Sequence, residues 1–456
     1  MRLPRQATIV TPGDFPLFAD GVRLHRTPLG GYVVFCRPGR DQSSLVALSD
    51  QEIAALLQID GATDLSGILS YACDGGGDAG AAREALMELL ASLANAGALR
   101  FGSIPQRRPP RVSGAKDCFI PFHMIVELGA RCNLTCRHCY ADAVSCADAM
   151  MSETLALSIM REASTLGVES LQLSGGEPTL HASFDRILHA ASEMFPQVAV
   201  STNGTLLDAV RVGLFSSMED RLTVQISLDG PNAEIHDSVR GVPGAFDKAL
   251  DALRRLVLNG VRVTACVSVF PDTVPFLRKT AELLVTVGVR QLRYVPVLHW
   301  GKGKTVRWES LSQTDCRHHF FSERALYEQS GIPIDYIAPW ELESMRPNCG
   351  AGTRLVCVDP VGAVLPCPTI RRALGCCTQH SLREILSQEK LKCLSVLPAP
   401  SLDECEGCDF RDYCAHCLSR GIDKAQSAQA RCRWYMHNTA VIQDLGGRSC
   451  HGESTP

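Results

Sequence analysis

The sequence predicts an α/β chain built on a partial (β/α)6 barrel of the TIM type. A small winged-helix-like domain precedes it and a cysteine-rich domain follows. Three observations lead there. Six apolar strand-like runs, at 124–128, 170–174, 198–202, 223–228, 263–270 and 291–295, alternate with helical text such as 152–166, 184–194, 245–259 and 274–287. Such alternation makes a parallel sheet with right-handed crossovers, with functional groups at the carboxyl ends of the strands. Glycine-bearing polar motifs stand at those ends. Finally, of 21 cysteines, twelve lie between Cys349 and Cys450, which suggests a dedicated metal module. The expected domains are 1–105, a linker at 106–117, a core at 118–310, and a C-terminal domain with its bridging region at 311–456.

A chain of 456 residues with 45 % hydrophobic residues can bury two or three cores. Its net charge of -4 gives no reason to expect a nucleic-acid or membrane partner. No apolar run approaches the roughly 20 residues of a membrane span. The N-terminal text MRLPRQATIVTPGDFPLF does not read as a signal peptide, so a cytoplasmic location is expected. Thiols stay reduced there, and a cysteine-dense intracellular chain points to metal.

In the first hundred residues, VRLHRTPLGGYVVF (22–35) predicts two strands around a Gly30-Gly31 turn, with helical text after Ser43. Ser49 with Glu52 forms a capping box, and Ile53, Leu56, Leu57 and Ile59 make the first apolar helix face. Helices at 64–72 and 81–96 and a strand at 98–101 complete the unit. The stretch LVALSDQEIAALLQIDGATDLSGIL resembles the peptide-binding chaperone of pyrroloquinoline-quinone biosynthesis and related recognition elements of ribosomal-peptide maturases. That resemblance implies capture of a leader peptide as an added edge strand; a non-binding accessory domain is the alternative. Residues 102–117, with three prolines and three arginines, read as an extended linker.

The core opens on Cys132, Cys136 and Cys139, spaced C-x3-C-x2-C on a loop after the first strand. Thiolates are the preferred ligands of iron–sulfur clusters, and three of them leave one iron of a cubane open. Later strands end in Ser174-Gly175-Gly176-Glu177-Pro178, in Ser201-Thr202-Asn203-Gly204, and in Ser227-Leu228-Asp229-Gly230 followed by His236-Asp237 and Arg240. Together these motifs resemble the radical S-adenosylmethionine (radical SAM) superfamily. The resemblance implies that Cys132, Cys136 and Cys139 hold a catalytic [4Fe–4S] cluster whose open iron chelates SAM. It also implies that Tyr140, Gly175, Gly176, Glu177, Pro178, Ser201, Asn203, Ser227 and Arg240 contact the cofactor, Arg240 through its carboxylate. A surface salt bridge is the alternative for Arg240. His138 is expected to pack against the cluster, Cys266 to be a small buried apolar residue, and His236 and Asp237 to cap a turn. The loop Trp300-Gly301-Lys302-Gly303 is expected to line the substrate mouth.

In the C-terminal domain, Cys349-x12-Gly362-x4-Cys367 is followed by Cys405-x2-Cys408-x5-Cys414-x2-Cys417 and Cys432, with a hairpin around 359–362. This order resembles the SPASM domain, an auxiliary-cluster module, though the last gap is one residue shorter than in its usual pattern. The resemblance assigns Cys405, Cys408, Cys414 and Cys432 to one [4Fe–4S] cluster. It assigns Cys349, Cys367 and Cys417 to a second, with Cys357 either a fourth ligand or a plain hairpin cysteine. Two C-x2-C pairs also allow zinc, but seven thiolates suit two clusters better than one ion. Cys376, Cys377, Cys393 and Cys450 fit no pattern.

The implied activity is hydrogen abstraction from a ribosomally made precursor peptide by a 5′-deoxyadenosyl radical, then formation of a thioether or carbon–carbon cross-link. The implied partners are that peptide, bound through its leader by residues 1–105, and a flavodoxin- or ferredoxin-type one-electron reductant. A maturase of another protein or of a tetrapyrrole is an alternative. A non-enzymatic cluster-carrying scaffold is another, against which the intact SAM motifs argue.

Overall fold

The computed structural model describes residues 11, 13–36, 43–71, 79–140, 149–298, 301–306, 348–401, 403–408, 411–414, 417–428 and 432–444. Trp300, Cys450 and the bridging region as far as residue 347 lie outside them. The chain forms two compact units, with the boundary between Ile120 and Pro121.

The first unit runs β1 (Phe15–Phe18), β2 (Arg23–Thr27), β3 (Gly30–Cys36), β4 (Ser43–Leu48), α1 (Asp50–Leu56), α2 (Leu65–Tyr71), α3 (Ala79–Asn95), β5 (Leu99–Gly102) and β6 (Arg111–Gly114). Strands in the order β4-β3-β2-β6 make one sheet, and β1 pairs with β5. The apolar faces of the three helices and of β2 and β3 meet in one core around Leu24, Val33, Ile53, Leu56, Ile68 and Leu90. Ser49 caps α1 as the box requires: its Oγ accepts from Glu52 N–H, and the Glu52 carboxylate accepts from Ser49 N–H.

Three features depart from the sequence reading. The hairpin turn is centred on Pro28-Leu29, and both glycines lie in β3. They are needed for close packing: a Cβ on Gly30 would stand 2.1 Å from Leu48 O, and one on Gly31 2.3 Å from Ile53 Cδ1. Residues 43–48 are strand rather than helix, because Leu45 to Leu48 pair across to β3. The segment expected as a linker contributes β6, paired in parallel with β2.

His25 is buried in this unit, with Nε2 3.0 Å from Ile120 O and Nδ1 3.0 Å from Ser113 Oγ. The neutral tautomer satisfies both, Nε2–H donating and Nδ1 accepting. Burial lowers its pKa from 6.5 to about 4. The unfolded chain therefore takes up the proton first as pH falls. Stability present above pH 6.5 is lost progressively towards pH 4, by up to about 3 kcal/mol. Hydrogen exchange of β2 and β3 amides, corrected for intrinsic rates, should quicken between pH 7 and 5, and His25→Gln should flatten that dependence.

The second unit opens with β7 (His123–Glu127), α4 (Glu153–Leu166), β8 (Ser170–Ser174), α5 (Phe184–Met194), β9 (Gln197–Thr202), α6 (Ala209–Ser216) and β10 (Leu222–Ser227). It continues with α7 (Ala233–Arg240), α8 (Ala245–Leu258), β11 (Arg262–Val269), α9 (Leu277–Val287) and β12 (Gln291–Pro296). The cysteine-rich part adds β13 (Leu355–Val358), β14 (Ala363–Leu365), β15 (Gly375–Cys376), α10 (Leu382–Leu386), α11 (Glu389–Val396), α12 (Arg411–Cys414), α13 (Leu418–Ala428) and α14 (Arg433–Asp444).

Strands β7 to β12 are neighbours in chain order and all parallel. The order never reverses, so crossovers of one hand leave the helices on one face and the sheet curls around the other. β13 joins the sheet in parallel beside β7, and β14 and β15 follow antiparallel, so among the described residues β12 and β15 are its two edges. The result is a partial barrel with an α/β core. Among the described residues no helix is long and apolar enough to cross a membrane.

Candidate functional site

The loop after β7 carries Cys132, Cys136 and Cys139, and the ends of β8, α7 and β12 grip it. Gly176 N–H donates to Gly129 O and Glu177 N–H to Arg131 O, each at 2.8 Å. The glycine pair lies directly on this loop: a Cβ on Gly175 would stand 2.4 Å from Gly129 O, and one on Gly176 2.3 Å from Arg131 O. Gly175, at φ +136°, adopts a backbone that only glycine takes readily. The carboxyl end of α7 holds the middle of the loop, with Thr135 N–H on Arg240 O and Arg137 N–H on Val239 O. The turn after β12 holds its end, where Lys302 N–H donates to Cys139 O at 3.0 Å.

Glu177 does not face open space. Its carboxylate is buried and accepts from Thr179 N–H and Oγ1–H, from Thr202 Oγ1–H and from Asn203 N–H at 2.8 Å. Burial raises its pKa against those hydrogen bonds. The side chain ties the ends of β8 and β9 together, and Pro178 opens the short turn behind it. Asn203 in turn donates to Asn133 Oδ1 at 2.9 Å and towards Cys132 Sγ at 3.9 Å.

Asp229, just past β10, centres a buried charge network. Arg240 Nη2 lies 2.7 Å from Asp229 Oδ2, and His138 Nε2 lies 3.2 Å from the same oxygen. Ser268 N–H donates to Oδ1 at 2.7 Å. Burial alone would raise this carboxyl; the Arg240 guanidinium, with His138 and His236 behind it, holds it below the usual carboxylate range. Burial lowers His138 to about 4, so its imidazole is neutral and donates from Nε2. Arg240 Nη1 reaches Cys136 Sγ at 3.6 Å. Arg240 is thus a buried residue engaged by Asp229, not a surface ion pair. His236 Nδ1 accepts from Asp229 N–H, and Asp237 caps α8 by accepting from Gly244 and Phe246 N–H, the turn-capping roles their spacing suggests.

Tyr140 lies under the Arg371 guanidinium, 5.6 Å from ring centroid to carbon. Arg371 grips Glu127, the last residue of β7, through two hydrogen bonds of 2.7 and 2.8 Å. This partnership spans more than half of the chain, and no local spacing signals it. Ser201 accepts from Gln172 Nε2–H at 2.7 Å, and Ser227 ends β10 opposite Cys266. Both stand on the concave face of the barrel, below the loop.

The C-terminal thiols fall into two neighbourhoods. Cys405 is raised to about 11 by burial and then by Cys408 and Cys432, and Cys414 is raised by burial, by the same three and, least, by Cys417, which borders both groups. Cys367 is raised to about 12 by burial, with Cys349 and Cys417 adding to it. Cys357 lies in an apolar cluster with Ile125, Ala363, Leu365 and Ala373. Trp434, fully buried, donates Nε1–H to Pro398 O and locks α14 beside Cys432.

Burial raises Cys132 to about 11 and Cys136 above its usual value, the latter against the opposing charge of Arg240. Among the described residues, Arg240 Nε and His138 Nδ1 are buried without a partner, and both belong to the network beside Cys136. Three thiols on one loop, two of them approached by an amide or guanidinium, fit an iron–sulfur cluster.

A family model described as the radical SAM superfamily matches residues 126–284, and the SPASM model, an iron–sulfur cluster-binding domain, matches residues 349–409. The chain is 28 % identical to the antilisterial bacteriocin subtilosin biosynthesis protein AlbA of Bacillus subtilis, over 92 % of this chain and 96 % of AlbA. It is 32 % identical to the mycofactocin maturase MftC of Mycobacterium ulcerans, over 54 % of this chain and 68 % of MftC. Among solved structures, SuiB of Streptococcus suis bound to S-adenosylmethionine shares the fold, with a TM-score of 0.60 at 13 % identity over 89 % of this chain and 96 % of SuiB. SuiB has also been solved with its precursor peptide SuiA.

Proposed function

The chain belongs to the radical SAM superfamily and carries a SPASM domain, and from that premise we propose that this enzyme oxidatively modifies a ribosomally made precursor peptide. One observation carries the reading: the similarity to AlbA runs through nearly the whole of both chains. In this reading the first unit is a winged-helix-like recognition element. Its β4 edge offers backbone groups to a leader peptide, as the complex of SuiB with a precursor peptide makes chemically reasonable.

We assign Cys132, Cys136 and Cys139 to the cluster that binds SAM. Cys405, Cys408, Cys414 and Cys432 form one auxiliary site, and Cys349, Cys367 and Cys417 a second, with Cys357 left in the core. Bound at the first site, a reduced [4Fe–4S] cluster and SAM supply a 5′-deoxyadenosyl radical able to abstract hydrogen. The chain's own part is positional. Gly176 and Glu177 hold the loop against β8. Asp229 keeps Arg240 charged and aimed at Cys136, and Tyr140 under Arg371 covers the loop's far end. The product would be a thioether or carbon–carbon cross-link, with electrons exchanged through the auxiliary sites and a small protein reductant. The many free thiols suit a reducing cytoplasm.

Anaerobically reconstituted protein given SAM and dithionite should release 5′-deoxyadenosine, and Cys132→Ala should release none. Iron analysis should return about twelve irons per chain, and about four would remove both auxiliary sites. A tetrapyrrole consumed in place of any peptide would sink the peptide reading.

A further inference from the structure

The barrel strands carry a pattern that cluster and SAM binding leave unused. Along β8, β10 and the first four residues of β12, apolar residues alternate with polar ones: SLQLS, LTVQIS and QLRY. Leu171, Leu173, Val224, Ile226, Leu292 and Tyr294 are buried on one face, towards the helices. The alternate residues share the concave face and bond to one another there. His123 Nε2 stands 3.1 Å from Gln172 Oε1, and Thr264 Oγ1–H donates to Gln291 Oε1 at 2.8 Å. A closed TIM barrel fills this space with branched apolar side chains. Here it is a polar chamber beneath the cysteine loop.

Among the described residues, Arg293 places a cation on that face. It lies opposite Cys266 across β11 and β12, and so on the same face; the Cys266 thiol is close enough to Arg240 to favour that guanidinium's charge. Arg293 therefore stands one strand away from the Asp229–Arg240 network. It is half-buried, and among the described residues it makes no ion pair. The nearby carboxylates are already committed, Asp229 to Arg240 and Glu127 to Arg371. His123, lowered to about 4 by burial and by the Arg293 charge against the hydrogen bond from Gln172, adds no charge. A half-buried guanidinium with no ion-pair partner among the described residues can still take one, and its planar fork matches a carboxylate.

We propose that Arg293 reads a carboxylate of the substrate peptide, which selects substrates with an acidic group next to the residue being modified. The assignment rests on the peptide-modifying reading and adds the substrate class. The probes are synthetic hexapeptides carrying Glu or its isostere Gln at one position, in C-terminally amidated and free-acid series. They are offered with SAM to the reconstituted holoenzyme and to its Arg293→Gln and Arg293→Glu variants, and the retained peptides are identified by mass spectrometry. The parent should retain amidated Glu peptides over Gln peptides by about tenfold or more, as a charge-assisted hydrogen bond gives. Arg293→Gln should erase the difference, and Arg293→Glu should disfavour the Glu peptides against their Gln counterparts. A preference for free acids over amides alone would identify the terminal carboxylate as the group read. Equal retention of acid and amide by the parent, or an unchanged preference in Arg293→Gln, overturns the proposal. SAM cleavage followed in the same samples separates the two ideas. Cleavage and peptide retention without acid preference remove only the role of Arg293, whereas retention of no peptide by the parent removes peptide modification as well.

Discussion

Asp229→Asn is expected to destabilise the second unit by about 3–5 kcal/mol, the cost of leaving one member of a buried ion pair without its partner. Asparagine keeps the shape and can still accept from Ser268 N–H, but it leaves the buried Arg240 guanidinium without a counter-charge. Arg240→Gln should cost less than this, because the stranded carboxyl can take up a proton. The double variant should recover part of the loss, since neither charge then remains buried alone. Urea unfolding of the four proteins gives the coupling directly. Additive losses would show that the pair contributes no mutual stabilisation. Iron content adds a second readout: with Arg240 released from Asp229, its donor to Cys136 is no longer held, and retention of the first cluster should fall.

Gly176→Ala should have the other large effect. Its new methyl group would sit 2.3 Å from Arg131 O and 2.5 Å from Ala130 O, both backbone atoms of the cysteine loop. Neither can move aside as a side-chain tip would. The loop must shift, which breaks the hydrogen bonds from Gly176 and Glu177 and carries Cys132 out of place. Overpacking of this kind costs about 1–3 kcal/mol. The larger consequence is chemical: loss of about four irons per chain and of SAM cleavage, with the auxiliary sites retained. Gly213→Ala is the control, because that position in α6 has nothing within 4 Å of the new methyl. It should be neutral or stabilise by about 0.5–1 kcal/mol. If Gly176→Ala kept its full iron content, the tight contact would have no functional weight.

Much of the core was legible because its signals are local. The six barrel strands fall within a residue or two of the expected runs, since apolar runs and helix periods are written into neighbouring residues. Ser49 and Glu52 cap α1 as their spacing requires. The misreadings came where a distant partner decided the outcome. Residues 43–48 became strand because β3 was there to pair with, and 111–114 because β2 was. Gly30 and Gly31 looked like a turn, but their freedom is used against Leu48 and Ile53. The alternation along β8, β10 and β12 was present in the text and passed over, because a strand's pattern does not say which face becomes the inside of a barrel.

By itself, then, the sequence determined the cysteine spacing, the strand–helix alternation and the motifs at the strand ends, all of them set by residues a few positions apart. Only the tertiary structure decided what those motifs touch. It turned the glycine pair onto the cysteine loop, gave Arg240 to Asp229, joined Arg371 to Glu127 from the far end of the chain, and left Arg293 without an ion-pair partner among the described residues of a polar chamber. The physical reason is range: propensity and periodicity act over a few residues, whereas charge pairing and backbone close packing are settled by whichever segments the fold brings together.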